Sequence, residues 1–522
     1  MTTRRPRPLL AAVLAVGAAL AGTSGVGAAP APASRVVAAA WADGGASATE
    51  RSVLPLLVSL AAGPETRLTV RVTGATVVAL PDACAPSTVV RRRSHLSADA
   101  VTLVCTVVGK RAQDVVVEVR TGAAPGPVGA TVTDRGVVTT LPGRAVAAAA
   151  PDTPRRLRLI SSPDFMNADV ADLRRGPGFW NPRRSPNSTS PAYERAIDRV
   201  LDDWQRQEPD GVLVAGDLVD GRWGRDSRHT GNFGPVGNAA QRASATRRAA
   251  ATYYPQYLQR FRSHHLDLYP AVGDHEYGDN PWTSSKRRLA PVFQQEFARY
   301  FTRTQAGRPR FRDHPGGVHA STAYAFRPSP EVQVVSIDPF DISPGRARIR
   351  VDRQQLRWLA GVLRKARADG VRWTLVQGHV PILEPVRARG SSELHYPGGA
   401  RSRLWQVFRK YGVDVYLCGE VHDVTATTQD GILQLAHGGA FQFGLTTYSV
   451  LDVHDDRLDV TLRDYAVRVR DARDHTRLWE TVRSGLKKWI RLDPEPVTIG
   501  TLTLGADGSV TDRSGILLPY RH

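Results

Sequence analysis

Five short apolar runs, each ending in glycine or proline and then a carboxylate or imidazole, constrain this chain more than any other feature of its 522 residues: SSPDFMNAD, VLVAGDLVDG, YPAVGDHEYGDN, TLVQGHVP and VYLCGEVHD. A run of four to six apolar residues closed by such a break reads as a strand buried on both faces. Its carboxyl end then offers the polar side chain to a crevice. The side chains delivered are Asp164 and Asn167, Asp217, Asp274 and His275, His379, and Glu420 with His422. Oxygen and imidazole donors in that mixture suit divalent metal. Between the runs, helical periodicity recurs at Tyr193, Ile197, Val200, Leu201 and Trp204, and again at Leu356, Leu359, Val362 and Leu363. Strands alternating with helices predict an α/β domain.

The order of these segments resembles the calcineurin-like metallophosphoesterase superfamily, whose pattern runs D-x-H, GD-x-x-D, GNH-[DE], a lone His, then GH-x-H. Gly216, Asp217, Asp220, Gly273, His275, Glu276, Gly378, His379, Gly419 and His422 carry the resemblance, which spans roughly Arg156 to Gly444. Three positions depart from the pattern. Asp164-Phe165-Met166-Asn167 stands where D-x-H is expected, Asp274 replaces the Asn of GNHE, and Glu420 replaces the first His of GH-x-H. The resemblance implies a four-layer α/β/β/α sandwich and a two-metal site bridged by Asp217. Asp164, His422 and Asn167 would complete one metal position, and Asp274, His379 and Glu420 the other. In the family the ions clamp a phosphate and lower the pKa of a bound water, so that metal-bound hydroxide attacks phosphorus. His275 would then protonate the leaving oxygen, with Asp217 the second catalytic residue.

The departures raise the ligand charge to four carboxylates, which nearly cancels two divalent ions. An oxygen-rich pair of divalent or mixed-valence ions is therefore expected, from among Mn, Fe, Zn and Ca, with Mn or Fe favoured. Two insertions, from Gly221 and from Glu384, follow metal segments, and Arg387 and Arg389 in the second are candidate grips for substrate phosphate. Asp338, ending the run VQVVSIDPF, is expected in a turn or behind the ligands rather than among them. No Walker-type loop, G-x-S-x-G elbow or finger spacing occurs, which excludes nucleotide-triphosphate motors, serine hydrolases and finger-type DNA readers as main readings.

Residues 1–29 combine Arg4, Arg5 and Arg7 with an apolar run from Leu9 to Ala21 and small residues at Val26-Gly27-Ala28, the layout of a cleavable signal peptide. That predicts a secreted or envelope-associated protein, exported by the general route or, from Thr3-Arg4-Arg5, by a twin-arginine route. No segment of the mature chain is long and apolar enough to span a bilayer as a helix. Residues 41–145 alternate Val and Thr in runs bounded by Gly and Pro, a small immunoglobulin-like β-sandwich. Within it Cys84 and Cys105 could pair, while Cys418 reads as a buried apolar residue. Residues 146–155 form a linker, and 156–522 the larger domain, closing in β-hairpins.

A net charge of +19, carried almost wholly by Arg, attracts anions and makes a phosphoester substrate and an acidic cell-envelope surface the expected partners. Nucleic acid is not indicated and is left open, because the basic runs lack regular aromatic interleaving. The expected function is an exported phosphomonoester or phosphodiester hydrolase. The alternative is a degenerate phosphoesterase domain serving as an envelope-binding or scaffolding module.

Overall fold

The computed structural model describes residues 34–41, 48–49, 53–61, 65–79, 84–86, 100–107, 113–121, 128–141, 143, 146–147, 153–165, 191–219, 221–225, 233–388, 391–439, 447–465, 467–470, 489–492 and 496–520. The expected signal peptide lies outside the described residues. So do Asn167, Arg389, Asp220 and the side chain of Tyr193.

The amino-terminal strands form two antiparallel sheets. One runs in the order Val36–Trp41, Val53–Leu60, Gln113–Thr121, Ala75–Ala79, the other Val137–Thr140, Gly129–Asp134, Thr66–Thr73, Ala100–Val107, Cys84–Pro86. Alternation explains the sandwich. In Thr66–Thr73 every second residue is buried, and Leu68, Val70 and Val72 join Leu56, Val58, Leu103 and Val117 in a separate apolar core. Cys84 pairs directly with Cys105 across neighbouring strands and is bonded to it. Val36–Trp41 belongs to this unit although it begins before residue 41, and Val146–Ala147 pairs with Ala48–Thr49. The division at 41, 145 and 156 is a proposal.

The remainder is built on two mixed sheets. The first has seven strands in the order Leu268–Pro270, Gly211–Val214, Leu157–Ser161, Thr447–Val453, Arg457–Asp464, Val497–Gly505, Val510–Thr511. The second has six: Tyr324–Ser329, Val332–Ser336, Trp373–Gln377, Val415–Cys418, Ile432–Ala436, Thr425–Gln429. The all-apolar runs take the central places, and Gly211–Val214, Trp373–Gln377 and Val415–Cys418 are buried at every position. Leu159, Leu213, Leu375, Leu417, Leu435 and Leu451 pack the space between the sheets. Each such side chain contributes about 1.5 to 3 kcal/mol by leaving water. The carboxyl-terminal hairpins are therefore sheet members, since Ser161 pairs with Ser449 and Leu157 with Val453.

Helices cover the outer faces. Ile197, Val200, Leu201 and Trp204 of helix Pro191–Arg206 pack with Tyr254, Tyr257 and Phe261 of helix Ala239–Ser263, the four-residue spacing putting one stripe inward. On the other face, helix Arg353–Ala368 buries Leu359, Val362 and Leu363, and helix Arg403–Tyr411 buries Leu404, Trp405 and Phe408. The result is the expected four-layer arrangement preceded by an all-β unit. Among the described residues no helix is long and apolar enough to cross a membrane.

Candidate metal centre

Leu157–Ser161, Gly211–Val214 and Leu268–Pro270 are parallel neighbours in one sheet, and Trp373–Gln377 and Val415–Cys418 are parallel neighbours in the other. Their carboxyl ends point the same way, so the segments that follow all reach one edge of the sandwich. There the chain turns sharply. Asp164, Asp217, Glu420 and His422 have φ of 52°, 56°, 68° and 52°, the left-handed region that side chains seldom occupy. Strained backbone held at one spot by the ends of three separate strands is a mark of functional geometry.

Three groups of ligand-capable side chains result, each with its donor atoms within 4.8 Å of one another: Asp164, Asp217 and His422; Asp217, Asp274 and His275; Asp274, His379 and Glu420. His379 lies at the middle. Its Nδ1–H donates to the Ala215 carbonyl at 2.9 Å, which turns Nε2 inward as a lone pair. That nitrogen faces Asp274 Oδ1 at 3.2 Å, Asp217 Oδ2 at 3.3 Å and Glu420 Oε2 at 3.4 Å, with Asp164 Oδ1 at 3.9 Å. Donors bound at about 2.1 Å to one tetrahedral or octahedral ion stand about 3.0 to 3.4 Å apart, so the three shorter separations suit a shared cation and the contact with Asp164 does not. His422 Nε2 lies 3.6 Å from Asp164 Oδ1 on the neighbouring position.

The polar atoms confirm the need for positive charge. Asp164 Oδ2, Asp217 Oδ2, Asp274 Oδ1 and His379 Nε2 are buried and find no hydrogen-bond partner among the described residues. Four carboxylates at most 2 % exposed cannot all stay charged in a dry site without a counter-ion. Burial, with Asp217 and Glu420 adding to it, drives the Asp164 carboxyl well above its usual range although His379 opposes. Burial and then Asp274 push Glu420 up to about 7. Burial would also raise Asp274, but His275 and His379 outweigh it and hold that group low. Burial favours neutral His379, yet Asp217, Asp274 and Glu420 overcome it and raise its affinity for a proton. A proton or a metal ion belongs among these atoms, and the surplus of carboxylates favours the metal.

A set of donors fixes the free oxygens. Asn280 Nδ2 donates to Asp274 Oδ2 at 2.8 Å and to Ser392 Oγ at 2.7 Å, and Ser392 Oγ in turn donates to Glu420 Oε1 at 2.6 Å. The Leu394 N–H adds a second bond to Glu420 Oε1 at 3.1 Å. One oxygen of each ligand is thereby tied to protein and the other left for the ion. Glu276 fastens the loops themselves, its Oε2 accepting from the N–H of Asp217 at 2.9 Å and of Gly273 at 2.7 Å, its Oε1 from Val219 at 3.2 Å. Space is equally exacting. A Cβ on Gly273 would lie 2.1 Å from Asp217 Oδ1, and one on Gly419 2.5 Å from Asp164 Oδ2.

Of the expected site residues, Asp164, Asp217, Asp274, His275, His379, Glu420 and His422 meet at this edge. His275 Nε2 stands 3.8 Å from Asp217 Oδ2 and 3.9 Å from Asp279 Oδ1. Arg387 does not join them. Its Nη1 donates to the carbonyls of Val424 and Ile516 at 2.7 and 3.1 Å, and its guanidinium lies 4.3 Å from the Tyr520 ring centre, so Nη1 is held inside the protein and a phosphate-gripping role for this residue stays a proposal. Asp338 accepts from Tyr277 Oη at 2.6 Å and Thr322 Oγ1 at 2.5 Å and contacts His319 Nδ1 at 3.0 Å, a structural anchor away from the ligand groups. Cys418 is buried, and burial pushes its thiol well up. Trp223 packs against Phe293 and Tyr253.

Sequence reasoning missed Asn280, Ser392 and the Leu394 amide as supports, and Asp279 as a neighbour of His275. The available signal was the exchange at 420: a glutamate carries a second oxygen that a histidine lacks, and a buried one requires a donor.

Residues 187–424 match the family model described as calcineurin-like phosphoesterase. Among solved structures, that of PhoD aligns over 95% of this chain and 96% of its own at 10% identity, with a TM-score of 0.40. GAP50, the anchor in the inner membrane complex of Plasmodium, aligns over 60% of this chain and 85% of its own at 9% identity, with a TM-score of 0.32. No curated protein matches the chain.

Proposed function

We propose that this chain, whose residues 187–424 match the calcineurin-like phosphoesterase family model, is an exported hydrolase of phosphomonoesters or phosphodiesters that depends on two divalent cations. The observation that carries this reading is the convergence of four buried carboxylates and His379 with their inward atoms unsatisfied. Asp164, Asp217 and His422 would hold one cation, and Asp274, His379 and Glu420 the other, with Asp217 reaching both positions. When bound, such ions supply Lewis-acid stabilisation of phosphoryl oxygens and a nucleophile usable at neutral pH.

The rest of the chemistry falls to the protein. The turns at Asp217, Glu420 and His422 keep the donors at fixed positions before substrate arrives, so little reorganisation is needed. His275 Nε2 lies between the Asp217 and Asp279 carboxylates, 3.8 and 3.9 Å from them, a position from which a proton carried there could pass to the departing alkoxide. Because the donors are mostly oxygen, Mn or Fe is the proposed native metal. Export rests on the amino-terminal sequence and on the Cys84–Cys105 bond, which suits an oxidising compartment.

The test is hydrolysis of 4-nitrophenyl phosphate and bis(4-nitrophenyl) phosphate with Mn, Fe, Zn or Ca, using wild type and Asp217→Asn. Turnover by wild type and its loss in the variant support the proposal. No turnover with any metal would overturn it.

A further inference from the structure

Arg348, Arg350, Arg353 and Arg403 ring a cavity of about 500 Å³ floored by Leu356 and Tyr396, and all four side chains are exposed. No carboxylate lines it. None of the four makes an ion pair with a described residue, whereas Arg327 and Lys365 at another basic cavity are already bonded to Asp369 at 2.6 and 2.5 Å. Asp352, the acid nearest in sequence, is committed elsewhere: its Oδ1 accepts from the Gln355 N–H at 2.7 Å, and its Oδ2 lies 3.5 Å from His319 Nε2. Four uncompensated guanidiniums over an apolar floor are complementary to an anion borne on an apolar or aromatic body.

The cavity is joined to the metal centre through one short segment. Leu394 donates to Glu420, and Tyr396, two residues on, donates its N–H to the Pro381 carbonyl at 2.9 Å, just past His379. Two peptide units span at most about 7.6 Å, which puts the cavity wall on the order of 10 Å from the Glu420 carboxylate.

We propose that this cavity receives a second anionic group of the substrate, so that the phosphoester cleaved at the metals belongs to a polyanionic molecule with an apolar or aromatic stretch between its charges. The proposal rests on the hydrolase reading and narrows its substrate class. A surplus of +19 over the whole chain would favour the encounter with such a molecule.

The probes are α,ω-alkanediphosphonates shorter than, matching and longer than the 10 Å gap, each paired with the alkyl monophosphonate of equal length. Calorimetry on Mn-loaded protein should show the matching diphosphonate binding at least about tenfold tighter than its monophosphonate, the value of one charge-assisted contact. In Arg350→Gln/Arg353→Gln that gap should vanish, while the KM for 4-nitrophenyl phosphate stays at the wild-type value. Equal binding of the two series by wild type, or a gap that survives in the variant, would overturn the proposal. A gap without turnover of any phosphoester would instead leave an anion site and remove the hydrolase reading, which separates the two failures.

Discussion

Ser392 shows how one exposed residue can govern a buried centre. Its hydroxyl holds Glu420 Oε1 at 2.6 Å while accepting from Asn280, which holds Asp274. Ser392→Ala should therefore weaken Mn binding by about 10-fold to about 100-fold, as removal of a donor behind a metal ligand commonly does. Far-ultraviolet circular dichroism should be unchanged, since the residue lies on the surface. A calorimetric Kd equal to wild type would remove the support role. His275 invites a sharper distinction, because it is placed both to donate a proton and to ligate with Asp217 and Asp274. In His275→Gln, metal content should stay at the wild-type level. Hydrolysis of alkyl phosphates, whose leaving groups need a proton, should fall more than that of aryl phosphates. Loss of metal in that variant would make His275 a ligand instead.

At the scale of elements, the two faces of one strand end do different work. Leu417, fully buried between the sheets, should cost about 2 to 5 kcal/mol when replaced by alanine, read from urea unfolding. Gly419, two residues on, abuts Asp164 Oδ2, so Gly419→Ala should lose metal affinity out of proportion to stability. A variant that unfolds more readily yet binds metal normally would contradict that assignment. The strands and their order were legible because all-apolar runs closed by glycine have few other uses, and the helices because their apolar stripes repeat at helical spacing. The sheet partners of Thr447–Val453 were not, since hairpin signals describe local turns and not the long-range pairing of Ser161 with Ser449. The carbonyl contacts of Arg387 were illegible for a related reason: a motif can place a residue after a strand, but not say which carbonyls its guanidinium will meet.

For the whole molecule, the crowded carboxylates make stability depend on pH and metal together. Glu276 and Glu420 in the centre and Asp414 outside it titrate at about 7 in the fold, above ordinary carboxylate values of 3.8 to 4.5. Between those limits these three groups bind more protons folded than unfolded, so the stability they contribute is fully present below about 4.5 and is lost as pH rises through about 7, against a smaller opposing contribution from His437, whose imidazole burial pushes down to about 3. The raised affinity of His379 for a proton acts in the same direction above its ordinary value of 6.5. Metal-free protein should thus show a Tm that falls across this range in calorimetric scans. Saturating Mn should flatten the slope, because the cation takes over the role of the protons. A Tm that rises over the same interval without metal would contradict the electrostatic picture.

The outcomes that concern metal and turnover depend on whether the strand ends hold two cations. Crystals soaked in Mn and measured at the Mn absorption edge read this directly. Two anomalous peaks are expected, one among Asp164, Asp217 and His422 and one among Asp274, His379 and Glu420, with Asp217 within bonding distance of both. A map with no peak within ligand distance of His379 Nε2 would contradict the two-cation centre and leave the proposed hydrolysis without its site.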